Sequence, residues 1–264
     1  MRALWAFAVG GFRRYAQYRA ATLAGAVTNS VFGLLRAGIT TAAVASAGGR
    51  IGGYDTAAVL AYAWLSQAVI APVHVFGWTD VAERIRTGDL VTDLSRPVDL
   101  QLQFLAADLG RAAYVLLPRG LPPLLVGGLT FGLALPVSPW PYLLGAVSLL
   151  LAVLLSFAGR FLLNLAAFWL LDLRGAASLY VITSNLLCGL LVPITWMPAW
   201  LRTVAAATPF PSMVQAPVDV LSGRLTGAAA AGSLGVQLLW VVAVLLLGRL
   251  VLVRATRRLV IQGG

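Results

Sequence analysis

The sequence predicts an all-α polytopic membrane protein, and three observations carry that reading. Hydrophobic residues make up 60% of the chain and mean hydropathy is +0.89, while charged residues make up 11%, against roughly a quarter in an average soluble domain. Apolar runs recur at lengths near the ~20 residues that a membrane helix needs. Charge is gathered between those runs: residues 80–101 hold five of the nine acidic residues (Asp80, Glu83, Asp89, Asp93 and Asp99) together with Arg84, Arg86 and Arg96. The expectation is six transmembrane helices, an N-terminal interfacial helix, a charged cytoplasmic helical loop and an outer re-entrant helical hairpin.

Residues 1–19 are too short and too basic to span. Trp5, Phe7, Phe12, Tyr15 and Tyr18 alternate with Arg2, Arg13, Arg14 and Arg19, the mix of a helix lying in the headgroup layer; a frayed tail is the alternative. Arg13, Arg14 and Arg19 follow the first apolar run, which is not the order of a cleavable signal. The first span covers residues 20–47 and carries one charge, Arg36. A charge within a span is expensive, so Arg36 either lines a transport path or pairs with a polar neighbour. A glycine-rich turn over 47–55 leads to a second span over 56–78.

The charged loop reads as two short helices. Asp80 and Glu83 have capping-box spacing, and Asp80/Arg84 and Glu83/Arg86 can pair along one face. Gly88 ends the first helix, and Asp89 caps a second that stops before Pro97. Val81, Ile85, Leu90 and Leu94 offer apolar anchors for a groove in a partner. The alternative is a solvated loop whose charges only keep it out of the bilayer.

A third span over 104–135 has Asp108 and Arg111 near its inner end and Pro118, Arg119, Pro122 and Pro123 in its middle, which predicts a broken helix. The fourth span, 142–171, holds Arg160 and Asn164 one turn apart, and with Arg36 they are the candidates for path lining. Asp172 and Arg174 mark a short inner turn before a fifth span over 175–192. Residues 193–230 are apolar but cut by Pro193, Pro198, Pro209, Pro211 and Pro217. No uninterrupted piece there can cross, so the segment reads as re-entrant, with Trp196, Trp200, Pro209, Phe210 and Pro211 forming an outer gate; a plain interfacial loop anchored by the two tryptophans is the alternative. The last span covers 231–253, and residues 254–264 form a cytoplasmic tail in which Arg254, Arg257 and Arg258 share one helical face.

All nineteen basic residues are Arg, and net charge is +10. Codon bias is the plain account of the missing Lys. Because these arginines flank apolar spans, they point to topology and anionic lipid rather than nucleic acid. Eleven fall on inner segments, and three (Arg50, Arg202 and Arg224) on outer ones. Both ends are therefore expected in the cytoplasm, in a multi-pass protein of the cell membrane.

Several chemistries have no support in the sequence. Without Lys there is no phosphate-binding loop, and no HExxH or GxSxG motif occurs. One Cys (Cys188) and one His (His74) make neither an intrachain disulfide nor a zinc site. No carboxylate lies near a midplane, as a proton-driven carrier would need. The chain is therefore not expected to be an enzyme or to bind a cofactor or metal.

GDLVTDLSRPVD at 88–99, the proline-rich stretch 189–223 and RRLVIQGG at 257–264 resemble the permease subunits of type-two ABC exporters, in particular a small six-span branch. The resemblance covers nearly the whole chain and implies a single permease domain over 1–264. It implies a dimer with a second permease, the same or a related chain, and separate ABC ATPase subunits that hold ATP and Mg. It also implies that 80–101 is the coupling loop, with Glu83, Arg84, Arg86, Gly88, Asp89 and Arg96 in that role. A non-transporting scaffold or signalling component, and a secondary carrier, are the competing readings. Cargo is not legible; apolar spans with scattered Arg fit lipophilic or anionic solutes.

Overall fold

The computed structural model describes residues 2–76, 78–170 and 172–256. Arg257 and Arg258 of the expected tail face lie outside the described residues. The described residues are mainly helical, and the only extended pairing among them is an isolated bridge between Ile51 and Tyr54.

Helix α1 (Arg2–Ala16) lies along the flank with no residue buried. It runs into α2 (Arg19–Ser46), whose buried residues Thr22, Ala26, Asn29, Gly33, Ala37, Thr40 and Val44 form one stripe at steps of three and four, the spacing of a helix face. Helix α3 (Thr56–Val73) is the centre of the bundle, with thirteen of its eighteen residues buried. Asp55 caps its start by accepting from the Ala58 N–H at 2.9 Å, and His74 ends it in the left-handed region at φ 57°. Trp64 of α3 is wholly buried. It fits because Gly33 and Gly127 face it: a Cβ at either would fall within 2.5 Å of the indole.

Two short helices follow, α4 (Asp80–Thr87) and α5 (Leu90–Leu94), separated at Gly88, which takes φ 81°. Helix α6 (Leu100–Val115) continues through a π turn at Leu116–Gly120 into α7 (Leu121–Phe131). The expected break is thus a π turn within one 32-residue helix. Pro118 sits in the widened turn, and Pro122 and Pro123 follow it at once in the first turn of α7, so the residues that lack a donor are gathered where the hydrogen-bond ladder changes step. Helix α8 (Trp140–Leu165), α9 (Arg174–Leu187), α10 (Ala199–Ala206), α11 (Gln215–Leu221) and α12 (Gly227–Thr256) complete the order.

By length and composition four helical segments among the described residues can cross a membrane: α3, α6 with α7, α8 with its 3-10 extension to Phe168, and α12. Helix α2, with 28 residues, is long enough but carries Asn29, Arg36 and several hydroxyls. Helix α9 has 14 residues, about 21 Å, which is short of the ~30 Å hydrocarbon core.

Two apolar cores result. One joins α3, α8, α11 and α12 through Tyr62, Val69, Leu155, Met213, Val218 and Val241. The other joins the charged loop to α6, α8 and α12 through Val81, Leu90, Phe104, Phe157, Phe161 and Leu252.

Candidate functional site

The charged loop is docked on its own bundle. Val81 and Leu90 have no exposed surface, so the expected anchors for a partner groove point inward, because α6 and α8 already supply the apolar cover. Of the four, Leu94 is exposed and Ile85 half-buried, and Val91 joins Leu94 on the open side. Glu83, Arg84, Arg86, Gly88, Asp89 and Arg96 are all exposed.

The local pairing differs from the one that spacing implied. Glu83 does pair with Arg86 at 3.3 Å. Asp80 pairs instead with Arg14 of α1 at 2.8 Å, where the carboxylate holds the Arg14 guanidinium above its ordinary value. Arg84 turns to Asp93 at 2.7 Å, and Arg96 meets the other oxygen of Asp93 at 3.3 Å. Asp93 is buried and also accepts from Gln103 Nε2 at 3.2 Å. This residue, not singled out in the sequence, binds the loop together. Its only sequence signal was an acidic residue between two arginines.

The capping-box reading also changes. No side-chain cap forms at Thr79 or Asp89, and Asp89 accepts from the Thr87 hydroxyl at 2.7 Å. The free end of α4 is instead met by Asn164 of α8. Its Oδ1 accepts from the Ala82 N–H at 2.9 Å, and its Nδ2 donates to the carbonyls of Trp78 at 2.6 Å and Arg160 at 2.7 Å.

Beneath the loop, Asp108 of α6 lies between two guanidiniums. Arg111 Nε is 2.7 Å from Oδ1, and Arg160 Nη2 is 2.8 Å from Oδ2. Arg160 also donates to Ser156 Oγ at 3.3 Å and stands over the Trp78 ring at 5.5 Å. Arg111 donates to the carbonyls of Ala71 at 3.0 Å and Pro72 at 2.8 Å, at the end of α3. Arg160 and Asn164, expected as path lining, have no exposed surface; in this conformation they brace α8 against α6 and the loop instead.

Arg36 does face protein. Its Nη1 donates to Ser66 Oγ at 2.7 Å, while buried Nε and Nη2 have no partner. Arg119 sits in the π turn against Gly25, where a Cβ would come within 2.4 Å of its Nε.

A second polar cluster lies at the opposite end of α3. Gln215 Oε1 accepts from Tyr62 Oη at 2.8 Å and from the Ile194 N–H at 3.0 Å. Its Nε2 donates to Tyr54 Oη at 3.0 Å and to Asp219 Oδ2 at 2.7 Å. Tyr54 Oη donates to Asp219 Oδ1 at 3.0 Å, and Arg224 pairs with Asp219 at 3.3 Å while stacking 3.6 Å from the Tyr54 ring centre. The cluster ties the proline-broken segment to α3; the sequence reading took in the stretch 189–223 but singled out neither Gln215 nor Asp219 within it. Of the expected outer gate, Trp196 donates from its indole to the Ile51 carbonyl at 3.0 Å and Phe210 packs edge-on against Tyr180 at 5.9 Å. Pro209 and Pro211 flank Phe210 half-buried, and Trp200 is exposed.

The sequence model of the ABC-2 family transporter proteins matches residues 37–263. The chain belongs to that family. No curated protein and no solved structure matches it. An ABC-2 family chain is a membrane transport component that normally works with ATPase subunits, and the apolar helices make this one a multi-pass membrane protein. The matched region takes in the charged loop, the Asp108 cluster and the Gln215 cluster alike.

Proposed function

We propose that this chain is the permease subunit of an ATP-driven export system. It forms the translocation path with a second permease, the same or a related chain, and is driven by separate ATPase subunits that hold ATP and Mg. The observation that carries the reading is the mounting of the charged loop. Its apolar side and its helix end are locked into the bundle by Val81, Leu90 and Asn164, while Glu83, Arg86 and Asp89 stand exposed on the other side. A contact that transmits force needs such a rigid base, and charges of both signs set register in an interface.

Helix α3 supplies the connection to the far side. Arg111 holds its Ala71 and Pro72 carbonyls, and Tyr62, ten residues earlier or about 15 Å along the axis, holds Gln215. Closure of the ATPases tilts the loop, α3 carries the tilt, and the gate of Trp196, Trp200, Pro209, Phe210 and Pro211 opens or shuts, a rocking form of alternating access.

In this arrangement residues 1–264 form one permease domain. Helices α2, α3, α6 with α7, α8, α9 with the chain following it, and α12 make six crossings of the cell membrane. Residues 1–19 form an elbow in the headgroup layer, 80–101 the coupling loop, 193–230 an outer re-entrant segment and 254–264 a cytoplasmic tail. The arginine bias supports this orientation.

The test is a charge exchange at the exposed face, Glu83→Arg with Arg86→Glu. Neither side chain is buried, so insertion and folding are expected to be kept while co-purified ATPase and substrate-stimulated hydrolysis fall. Wild-type levels of both would reject the loop as the coupling element.

A further inference from the structure

Between α1, the charged loop and α6 lies a cavity of about 260 Å³. Four guanidiniums line it: Arg14 of α1, Arg84 and Arg96 of the loop, and Arg111 of α6. The carboxylates of Asp80, Asp93 and Asp108 line it with them. Asp80 balances Arg14. Asp93 and Asp108 each serve two guanidiniums, Arg84 with Arg96 and Arg111 with Arg160. Two guanidiniums against one carboxylate leave one positive charge in excess, so the cavity lies between two groups that both carry net positive charge.

Arg84 and Arg96 are set to receive an anion. Each gives one nitrogen, Nη1, to the buried Asp93. Each also rests over a ring, Arg84 over Phe104 at 5.9 Å and Arg96 over Phe7 at 5.8 Å, so both planes are held from a second side. Among the described residues neither guanidinium makes a further hydrogen bond. Their side chains are 45% and 46% exposed, so an anion can reach the free N–H groups. Such a fork matches a pair of phosphate oxygens. Arg111 and Arg160 are buried and add their field rather than contacts. We propose that this cavity binds a phosphate group, held by Arg84 and Arg96. Phe7, Tyr15 and Trp78 make much of the remaining wall apolar, which admits a phosphate carried on a lipid as well as one on a small solute. Placing the cavity at the inner headgroup layer rests on the export reading; the binding site itself does not.

The test uses the purified full chain in dodecyl maltoside, a detergent without phosphate, at ~0.15 M salt, where exposed charges are screened. Dioctanoyl phosphatidic acid is the probe, its binding read by native mass spectrometry, and dioctanoylglycerol has the same chains without the phosphate. The phosphatidic acid should bind about 10-fold tighter than dioctanoylglycerol, the value of one hydrogen bond between charged groups. Arg84→Gln and Arg96→Gln should each weaken it by about the same factor, and each leaves Asp93 one guanidinium. Arg84→Lys and Arg96→Lys keep both charges on Asp93 and lose only the planar fork, so they read the site even where a Gln variant fails to fold, and should show part of that loss. Arg86→Gln removes a charge from the same loop outside the cavity and should leave binding within about 2-fold of wild type. Equal binding of the two lipids, unchanged binding in the Arg84 and Arg96 variants, or an equal loss in Arg86→Gln would overturn the assignment. Inorganic phosphate separates the sources: if it displaces the lipid, the site takes a free phosphate, and if it does not, the site takes a lipid headgroup. No arm involves the ATPase, so failure here leaves the export reading standing, and failure of the charge exchange leaves this site standing.

Discussion

The two polar clusters at the ends of α3 are built from different chemistry. At the charged-loop end, one carboxylate sits between two guanidiniums at Asp108, and again at Asp93. At the proline end, one amide and two phenols link to one another and to a single carboxylate, Asp219, which pairs with one half-buried arginine. Buried ion pairs are costly to break because each partner is left as an unpaired charge. A mesh in which amide and phenol groups share one carboxylate separates in smaller steps, of about 1 kcal/mol for each neutral hydrogen bond, and hydroxyls and amides can exchange partners. The first arrangement suits an element that must hold its shape under load. The second suits one that must let go and re-form.

The comparison can be broken most directly at Asp108. Asp108→Asn leaves Arg111 and Arg160 buried without their counter-charge, and a loss of about 3–5 kcal/mol is expected, read as a large drop in the unfolding midpoint in detergent. At the other end, Gln215→Leu removes four side-chain hydrogen bonds. Because Tyr62 keeps the Gly189 carbonyl and Tyr54 keeps Asp219, the expected loss is about 1–3 kcal/mol, with ATPase association kept and export reduced. A larger loss in Gln215→Leu than in Asp108→Asn would invert the contrast.

A third substitution sharpens the comparison within the charged-loop end. Asn164→Ala takes the cap from α4 and should cost about 0.5–2 kcal/mol, with ATPase co-purification falling more than stability does. Equal loss of ATPase binding and of folded protein would make Asn164 a packing residue only.

The smallest effect belongs to an exposed pair. Hydrogen bonds from the Arg174 side chain and backbone hold the Asp172 carboxyl at about 2, below its ordinary 3.8. A depressed carboxyl contributes above its unfolded value and ceases to as pH falls through its folded one. The Arg174 amide resonance should therefore shift as pH drops from 3.8 toward about 2, Asp172→Asn should remove that shift, and the unfolding midpoint should not move.

Much of the fold was legible in the sequence for local reasons. Gly88 ends α4 because a left-handed residue must, and α5 stops at Leu94, ahead of Pro97. The short helix α10 falls between Pro198 and Pro209, and α11 takes Pro217 into its first turn. The π turn at Leu116–Gly120 was not legible as such: prolines mark where a ladder must yield, but whether it breaks or widens depends on what packs around it. The candidate site was legible in part. The exposed face of the charged loop was, while the inward turn of Val81 and Leu90 was not, since an amphipathic pattern says that one side is covered and not by what.

Composition and periodicity by themselves determined the membrane class, the helical architecture, the position of the charged loop and the proline-cut segment. They did so because hydropathy, capping and proline sterics act within a turn or two of the chain. Only the tertiary structure decided which charges meet. Asp80 goes to Arg14 over 66 positions and Asp108 to Arg160 over 52, while Tyr54 reaches Asp219 over 165. In a low-dielectric interior an unpaired charge is costly, but every arginine is chemically the same partner. The choice falls to whichever one the packing of apolar helices brings within 3 Å.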